Sequence, residues 1–293
     1  MKRGLAAALL AGILLSGCGG APEAPVTTEP TEQSAHQELT AESATFNPKT
    51  DMRIDLPQLG LENVLVRDCV SNVSVEEAVS GDVYLLADDG AGSRRDGHYL
   101  LVAAEETVTA VDLWKIGETD CVTGEIAVAD VDGDTDKEII VQEAVDFFGG
   151  AGQYRSWVFD YKDGKLQELF CSVKNGDLTD TGFSVKLLEN RQFEIQNSIT
   201  GYREIFTVTN KQDLYFEGWY NKDGTVIDRD LWVDSFLGFK PVDVDGDGVW
   251  ELECTQYTSL FSHADFFGWA HSVMRYNAET RSFQIINAWF VVE

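Results

Sequence analysis

The sequence predicts an all-β fold built from antiparallel hairpins. Its apolar residues occur in short segments that alternate with polar residues or are rich in β-branched side chains, which is typical of strands. Two connections, Lys162–Lys165 and Lys222–Thr225, place an Asp-Gly pair between such segments, and this is a strong hairpin signal. We therefore expect one large domain in which strand follows strand.

The predicted strands are spread along the whole domain. They are residues 82–87, 98–104, 107–114, 137–145, 154–161, 183–188, 193–196, 202–208, 214–220, 251–258 and 282–292. One short helix is also predicted, because Ser74 and Glu77 have the spacing of a capping box before Ala78 and Val79.

The N-terminus has the layout of a bacterial export signal. Two basic residues precede an apolar segment, Leu5–Leu15, that is short for a transmembrane helix. The junction Leu15-Ser16-Gly17-Cys18 resembles the lipobox of bacterial lipoproteins, in which the cysteine receives a diacylglyceryl group and the preceding segment is cleaved. The resemblance implies a signal peptide over residues 1–17 and a domain anchored to the extracytoplasmic side of the cell membrane by lipid on Cys18. The alternative is an ordinary cleaved signal in which the cysteine is incidental.

Residues 18–50 are predicted to be a tether and residues 51–293 a single folded domain. The tether is acidic, rich in Pro, Thr, Ser and Ala, and lacks sustained apolar periodicity, so it cannot bury enough surface to offset the entropy of ordering. The chain has 50 acidic and 22 basic residues and a formal net charge of -28. This charge repels nucleic acid phosphates and anionic lipid headgroups, and it suits cations or neutral ligands.

A nine-residue acidic loop occurs twice in the domain. The first loop runs from Asp130 to Glu138 and the second loop from Asp243 to Glu251, and both place carboxylates at positions one, three, five and nine. Calcium takes roughly six to eight oxygen ligands, and alternate acids in a tight turn direct several of them at one point. An EF-hand would need flanking helices, whereas strand-forming residues follow both loops. The alternative interpretation is a pair of solvated acidic turns.

The loops and their flanks resemble FG-GAP or VCBS-type repeats, the calcium-loop blades of integrin-like β-propellers. In both copies an apolar strand, ending in Ala127-Val128-Ala129 or Pro241-Val242, leads into the loop. The resemblance implies a propeller-like array of antiparallel β blades, with a β-sandwich as the alternative, and about two structural Ca2+ ions. The implied ligands are Asp130, Asp132, Asp134 and Glu138 in the first loop and Asp243, Asp245, Asp247 and Glu251 in the second, with Asp136 and Val249 at the position where a backbone carbonyl coordinates.

The two copies extend beyond the loops as one repeated unit. Asp146-Phe147-Phe148-Gly149 precedes Trp157–Tyr161 and a hairpin, much as Asp265-Phe266-Phe267-Gly268 precedes Val273–Tyr276 and a hairpin. Residues 176–232, between the copies, are predicted to form a blade that lacks the loop. We expect two separate ion sites that respond to substitution independently. The extra carboxylate at position seven of the first loop predicts tighter binding there.

The sequence favours a binding module over an enzyme. It contains no nucleophile elbow, phosphate loop or recognisable hydrolase signature, and no residue is assigned a catalytic role. His263, Asp265 and His271 fit no standard zinc spacing, and His98 is predicted to be a core histidine. By analogy with propellers, we expect a monomeric, calcium-stabilised, membrane-anchored lipoprotein that binds a protein or glycan and not nucleic acid.

Other functions and the state of the cysteines stay open at this level. The alternative functions are a secreted carbohydrate-active hydrolase or lyase and a structural envelope spacer. Seven tryptophans allow a glycan-stacking surface, although aromatic residues on strands are more often core residues. Buried thiols and disulfides are both compatible with Cys69, Cys121, Cys171 and Cys254.

Overall fold

The computed structural model describes most of the predicted domain. It covers residues 52–57, 60–87, 98–104, 107–113, 121–145, 153–172, 181–207, 219–223, 225–227, 231–259 and 266–292. All of them belong to one compact unit, residues 38–293. The predicted signal peptide, Cys18 and the tether lie outside the described residues.

Sixteen strands in four antiparallel sheets make up the described part of the chain, which confirms the all-β prediction. The first sheet contains β1 (Arg53–Leu56), β2 (Leu61–Glu76), β3 (Val79–Ala87), β4 (His98–Ala104) and β5 (Thr107–Asp112). The second sheet contains β6 (Cys121–Ala129), β7 (Glu138–Val145), β8 (Gln153–Lys162) and β9 (Lys165–Cys171). The third sheet contains β10 (Phe183–Leu188), β11 (Gln192–Asn197) and β12 (Arg203–Thr207). The fourth sheet contains β13 (Trp232–Val242), β14 (Glu251–Ser259), β15 (Phe266–Asn277) and β16 (Ser282–Val292).

Each sheet pairs its strands in sequence order, as the blades of a propeller-like array do. The first loop connects β6 to β7 and the second loop connects β13 to β14, so both loops lie between the first two strands of a four-stranded sheet. The third sheet falls in the region predicted to be a blade without the loop. Of the predicted strand 214–220, residues 214–218 lie outside the described residues.

The hairpin predicted at Lys162–Lys165 is present between β8 and β9. Lys162 pairs with Lys165, and the turn residues Asp163 and Gly164 have φ of 52° and 70°. Both central residues of a type I′ turn need a positive φ, which Asp and Gly adopt more readily than other residues. The Asp-Gly pair therefore fixes this turn.

The short helix predicted near Ser74 is wrong. Ser74 lies in β2, and Glu76 pairs directly with Val79 across a two-residue turn. Ala78 in that turn has a φ of 61°, which a helix cannot contain. The alternating burial of Val73 and Val75 explains the error, because a strand that buries one face outweighs a local capping signal.

Apolar side chains hold the sheets together on both faces of the second sheet. Trp157 and Val158 are adjacent in β8 and point to opposite faces, and both are buried. Trp157 belongs to a core shared with the first sheet, which includes Leu85. Val158 belongs to a core shared with the fourth sheet, which includes Leu252 and Met274. The second sheet is thus packed between the first and the fourth, and each large apolar side chain buried there contributes about 1.5–3 kcal/mol.

The third sheet packs on the fourth through aromatic rings. The ring of Phe193 in β11 lies 5.1 Å from that of Phe267 and 6.0 Å from that of Phe290, in edge-to-face arrangements. Trp219 is fully buried in the same core. Edge-to-face contacts add about 0.5–1.5 kcal/mol each to the burial of the rings.

Cys69 and Cys254 are buried free thiols, and Cys171 is also buried. The side chain of Cys121 lies outside the described residues. Within the ranges that the structure describes, there is no helix with the length and apolar character needed to cross a membrane.

Candidate metal centre

The first loop is a tight turn whose backbone is held by its own carboxylates. Asp130 begins the turn that follows β6, and its two oxygens accept hydrogen bonds from the N–H groups of Gly133 (2.8 Å) and Thr135 (3.0 Å). Asp132 Oδ1 accepts one from Asp134 N (3.1 Å). Gly133 has a φ of 84°, a conformation that glycine adopts without strain. Alternate acids and a glycine therefore produce the curvature that the sequence pattern predicts.

Three carboxylates of the first loop converge. Asp130, Asp132 and Glu138 each contribute one oxygen to a group in which all lie within 4.8 Å of one another. Glu138 is only 1% exposed, and its Oε2 accepts a 2.6 Å hydrogen bond from Val131 N. Burial, together with the charges of the neighbouring aspartates, raises the pKa of Glu138 to about 8. The arrangement concentrates negative charge where it is poorly solvated.

The other acids of the first loop lie at its rim. Asp134 is exposed, with Oδ2 3.6 Å from Lys162 Nζ, and its Oδ1 accepts a hydrogen bond from Asp136 N (3.0 Å). Asp160, on β8, is a further carboxylate beside them. Burial raises its pKa, and so do the charges of Asp134 and Asp136. Of the four side chains that the resemblance implies as ligands in this loop, the structure brings three into one cluster.

The second loop repeats the backbone arrangement of the first. The carboxylate of Asp243 accepts hydrogen bonds from Gly246 N (2.7 Å) and Gly248 N (3.1 Å). Glu251 Oε2 accepts one from Val244 N (3.1 Å), which corresponds to the bond between Val131 and Glu138. One oxygen each of Asp243, Asp245 and Asp247 forms a group within 4.8 Å, and Val249 lies half-buried at position seven.

The side chain of Arg275, on β15, bonds two carboxylates of the second loop. This contact was not predicted from the sequence. Arg275 Nε donates to Glu251 Oε1 (2.6 Å), and its Nη2 donates to Asp245 Oδ2 (2.6 Å). The same Nη2 also forms an ion pair with the Glu251 carboxylate. The hydrogen bond from Arg275 lowers the pKa of Asp245, whereas burial and the charge of Asp134 raise the pKa of Asp132 at the same position of the first loop.

A comparison of the two copies of the internal repeat would have identified this arginine. Ile139 pairs with Phe159 and Leu252 pairs with Met274, so the residues one position further on β8 and β15 are Asp160 and Arg275. Both stand opposite the final Glu of their loop. Aligning the two copies by these strands places a carboxylate and a guanidinium at equivalent positions.

The two loops are in direct contact, although the sequence predicts two separate ion sites. Trp250 N donates a 2.7 Å hydrogen bond to Asp130 O, at the start of the first loop. A Cβ added at Gly133 would lie 3.3 Å from Val249 Cγ2. The first loop is also bonded to the first sheet, through Lys137 N and Ser74 O (2.8 Å). A blade without the loop is predicted between the two copies, but packing of the second sheet on the fourth brings the two loops together.

One face of the fourth sheet carries partly exposed aromatic side chains. Cross-strand pairing puts Tyr257 beside Trp269 and His271 beside Trp289, and Val291, next to Trp269, is 45% exposed. The ring centroids of Tyr257 and Trp269 are 4.6 Å apart, and those of His271 and Trp289 are 4.9 Å apart and nearly parallel. We call these five residues the aromatic face. The opposite face, with Ala270 and Phe290, packs on the third sheet.

The histidines that the sequence singled out have different environments. His98 is buried, with Nδ1 3.0 Å from Glu143 Oε1, which confirms that it is a core histidine. His271 Nδ1 lies 3.2 Å from Glu253 Oε1, and this hydrogen bond lowers the pKa of Glu253. His263 and Asp265 lie outside the described residues.

Comparison with known proteins finds similarity in the C-terminal part of the chain. The profile of the YybI C-terminal domain family matches residues 181–291, a range that includes the second loop and leaves out the first. A Bacillus subtilis (strain 168) protein, "Uncharacterized protein YybI", is 27% identical over 154 residues, which are 52% of this chain and 57% of that protein. The similarity thus spans little more than half of that relative. No solved structure matches the chain.

Proposed function

We propose that this chain is a lipid-anchored extracytoplasmic lipoprotein whose β domain is a binding module stabilised by calcium at the first loop. The observation that carries the calcium proposal is the convergence of Asp130, Asp132 and the buried Glu138. Two like charges 4 Å apart repel by about 4 kcal/mol at an effective dielectric constant near 20. A divalent cation among them replaces this repulsion with attraction, and a donor set made only of oxygen suits Ca2+ rather than zinc or copper.

The position of the first loop supports a structural role for the ion. The loop belongs to the second sheet, is bonded to β2 of the first sheet through Lys137 N, and accepts a bond from Trp250 N of the fourth sheet. An ion that rigidifies this loop would therefore strengthen the junction of three sheets. A ligand that binds only the folded state raises the free energy of unfolding by RT ln(1 + [L]/Kd), where [L] is the free ligand concentration.

Calorimetric titration and thermal unfolding of the full chain in detergent, with calcium or with chelator, test this proposal. Asp132→Asn should remove both the binding and the effect of chelator on the melting temperature. Asp223→Asn is the matched control, because the Asp223 carboxylate also accepts a hydrogen bond within a turn, from Thr225 N (3.1 Å), but lies outside both loops. A wild-type chain that binds no calcium and melts at the same temperature in chelator would contradict the proposal.

For the ligand, we propose a neutral glycan bound at the aromatic face. Flat aromatic rings pack against the CH groups of sugars, while Glu253, His271 and the exposed Asn287 on the same face are able to bond hydroxyl groups. The net charge of -28 opposes acidic polysaccharides. These features favour a glycan over a protein, the other class that the sequence left open.

Binding of the full chain to arrays of neutral and acidic oligosaccharides tests the ligand class. Trp269→Ala should weaken binding roughly thirtyfold, since a buried aromatic ring contributes about 2 kcal/mol and 1.4 kcal/mol is tenfold. Ile205→Ala, at a 49% exposed position of the third sheet, is the control and should bind normally. Capture of a protein and of no sugar, or equal binding by both variants, would contradict the glycan proposal.

The anchor is tested separately from the domain. Cys18→Ser should abolish lipid labelling and release the chain from membranes, because a two-chain anchor is what holds such a protein at a bilayer. Unchanged partitioning of this variant into membranes would contradict the anchor.

A further inference from the structure

We propose that Arg275 holds the second loop as calcium holds the first, so that the chain binds one calcium ion and not two. The inference rests, for its calcium measurements, on the proposed calcium function of the first loop. It assigns a cation-replacing role to Arg275 on β15, 24 residues beyond the Glu251 carboxylate that it bonds.

The guanidinium joins positions three and nine of the second loop. Its Nε is 2.6 Å from Glu251 Oε1 and its Nη2 is 2.6 Å from Asp245 Oδ2. Glu251 is 0% exposed, so its charge needs a partner within the protein. Arginine suits this position, because its planar fork bonds two carboxylates at once and stays charged at any physiological pH.

The final glutamate of each loop makes the same backbone bond but has a different second partner. Glu138 Oε2 accepts from Val131 N and Glu251 Oε2 accepts from Val244 N. In the first loop, the Glu138 carboxylate also contributes one oxygen to the cluster with Asp130 and Asp132, and no Lys or Arg side chain among the described residues bonds it. In the second loop, the other oxygen of Glu251, Oε1, accepts the hydrogen bond from the guanidinium. The same carboxylate is therefore directed at an acidic cluster in one loop and at a fixed cation in the other.

The residue opposite the final glutamate accounts for this difference. Asp160 takes that position in the second sheet and Arg275 takes it in the fourth, as the strand registers establish. The nearby cation of the first loop is Lys162, which is 53% exposed and 3.6 Å from Asp134, at the rim. Calcium approaching the second loop would meet a positive charge and find two of the four loop carboxylates already paired. Calcium approaching the first loop would meet an additional carboxylate.

Counting the calcium ions bound by four full-length chains tests the inference. By calorimetry, the wild type should bind one ion, Asp132→Asn none, Arg275→Gln two, and the double variant one. Arg203→Gln is the matched control, because it removes an Arg–Glu pair on the exposed third sheet and should leave the count at one. A wild-type count of two, or one ion that survives Asp132→Asn, would overturn the inference and leave calcium binding itself intact.

The two proposals fail in different ways. A wild type that binds no calcium overturns the calcium proposal for the first loop, and if Arg275→Gln then binds one ion, the inference about the second loop stands. A count that Arg275→Gln does not raise overturns the inference.

A second measurement covers the case in which Arg275→Gln does not fold. Asp247→Asn changes the second loop and leaves the arginine in place, because Asp247 Oδ1 accepts a hydrogen bond from Val249 N (2.8 Å), whereas Arg275 bonds Asp245 and Glu251. It should leave the count at one and the calcium affinity within about twofold of wild type. Loss of an ion in this variant would place the calcium in the second loop and overturn the inference.

Discussion

The two loops share a nine-residue pattern and a backbone hydrogen-bond network, yet the buried glutamate of each loop has a different partner. In the first loop the buried Glu138 faces two further carboxylates, and in the second loop the buried Glu251 bonds a guanidinium. The comparison teaches that the loop pattern specifies the turn, whereas the strand opposite the loop decides which cation the turn can accept. Two copies of one motif therefore do not imply two copies of one site.

Exchanging the residue opposite the glutamate should have the largest effect. Asp160→Arg places a guanidinium opposite Glu138, where Arg275 stands relative to Glu251, and we expect it to abolish calcium binding and make the melting temperature insensitive to chelator. Asp160→Asn is the milder control and should weaken calcium binding by several-fold only. Calcium binding of wild-type strength by the Asp160→Arg chain would show that this position does not select the cation.

Removing calcium from the wild type should have the next largest effect. At a calcium concentration one hundred times Kd, binding stabilises the folded state by about 2.7 kcal/mol. For a domain of this size each kcal/mol corresponds to about 2–4 °C, so chelator should lower the melting temperature by roughly 5–10 °C. Differential scanning calorimetry measures the shift. If chelator lowered the melting temperature of Asp132→Asn by the same amount, the stabilising calcium would lie outside the first loop.

The local sequence pattern was sufficient to predict many of the strands and the turns of both loops. The predicted strands 98–104, 183–188 and 282–292 coincide with β4, β10 and β16, because each has an unambiguous alternating or β-branched pattern. The Asp-Gly turn after Lys162 and the acidic curvature of both loops are also local properties. The helix predicted near Ser74 was wrong, because the alternating burial of β2 outweighed the local capping-box pattern.

Contacts between distant segments could not be derived from the sequence in the same way. The bond between Asp130 and Trp250 depends on how the second sheet packs on the fourth. The role of Arg275 depends on the register of β14 against β15, since a shift of one residue would direct it to the other face. Once the register is known, the repeat itself relates Asp160 to Arg275.

Contact between the loops should have a smaller but measurable effect. Gly133→Ala and Gly246→Ala each force alanine into a positive φ, 84° and 76°, which costs about 1–2 kcal/mol. A Cβ at Gly133 also approaches Val249 to 3.3 Å, while one at Gly246 meets nothing within 4 Å. Gly133→Ala should therefore be the more destabilising, and Val249→Ala should reduce the excess. Equal unfolding free energies would argue against a coupled pair of loops.

The smallest effect concerns the buried thiols. Burial raises the pKa of Cys254 well above its usual range and also raises the pKa of Cys69 in β2, so both should react slowly with alkylating reagents. Chelator should speed alkylation of Cys69 a few-fold more than that of Cys254, because the first loop is bonded to β2 through Lys137 N and Ser74 O. Peptide mass spectrometry measures the two rates. A greater acceleration at Cys254 would indicate that the second loop is the calcium-dependent one.

A crystal structure of the full chain grown with calcium, with anomalous scattering used to locate the ion, tests the central claim most directly. The account predicts one peak, with oxygens of Asp130, Asp132 and Glu138 at about 2.3–2.6 Å. It also predicts that Arg275 keeps its bonds to Asp245 and Glu251 in that crystal. A peak inside the second loop, with the guanidinium displaced from both carboxylates, would contradict it.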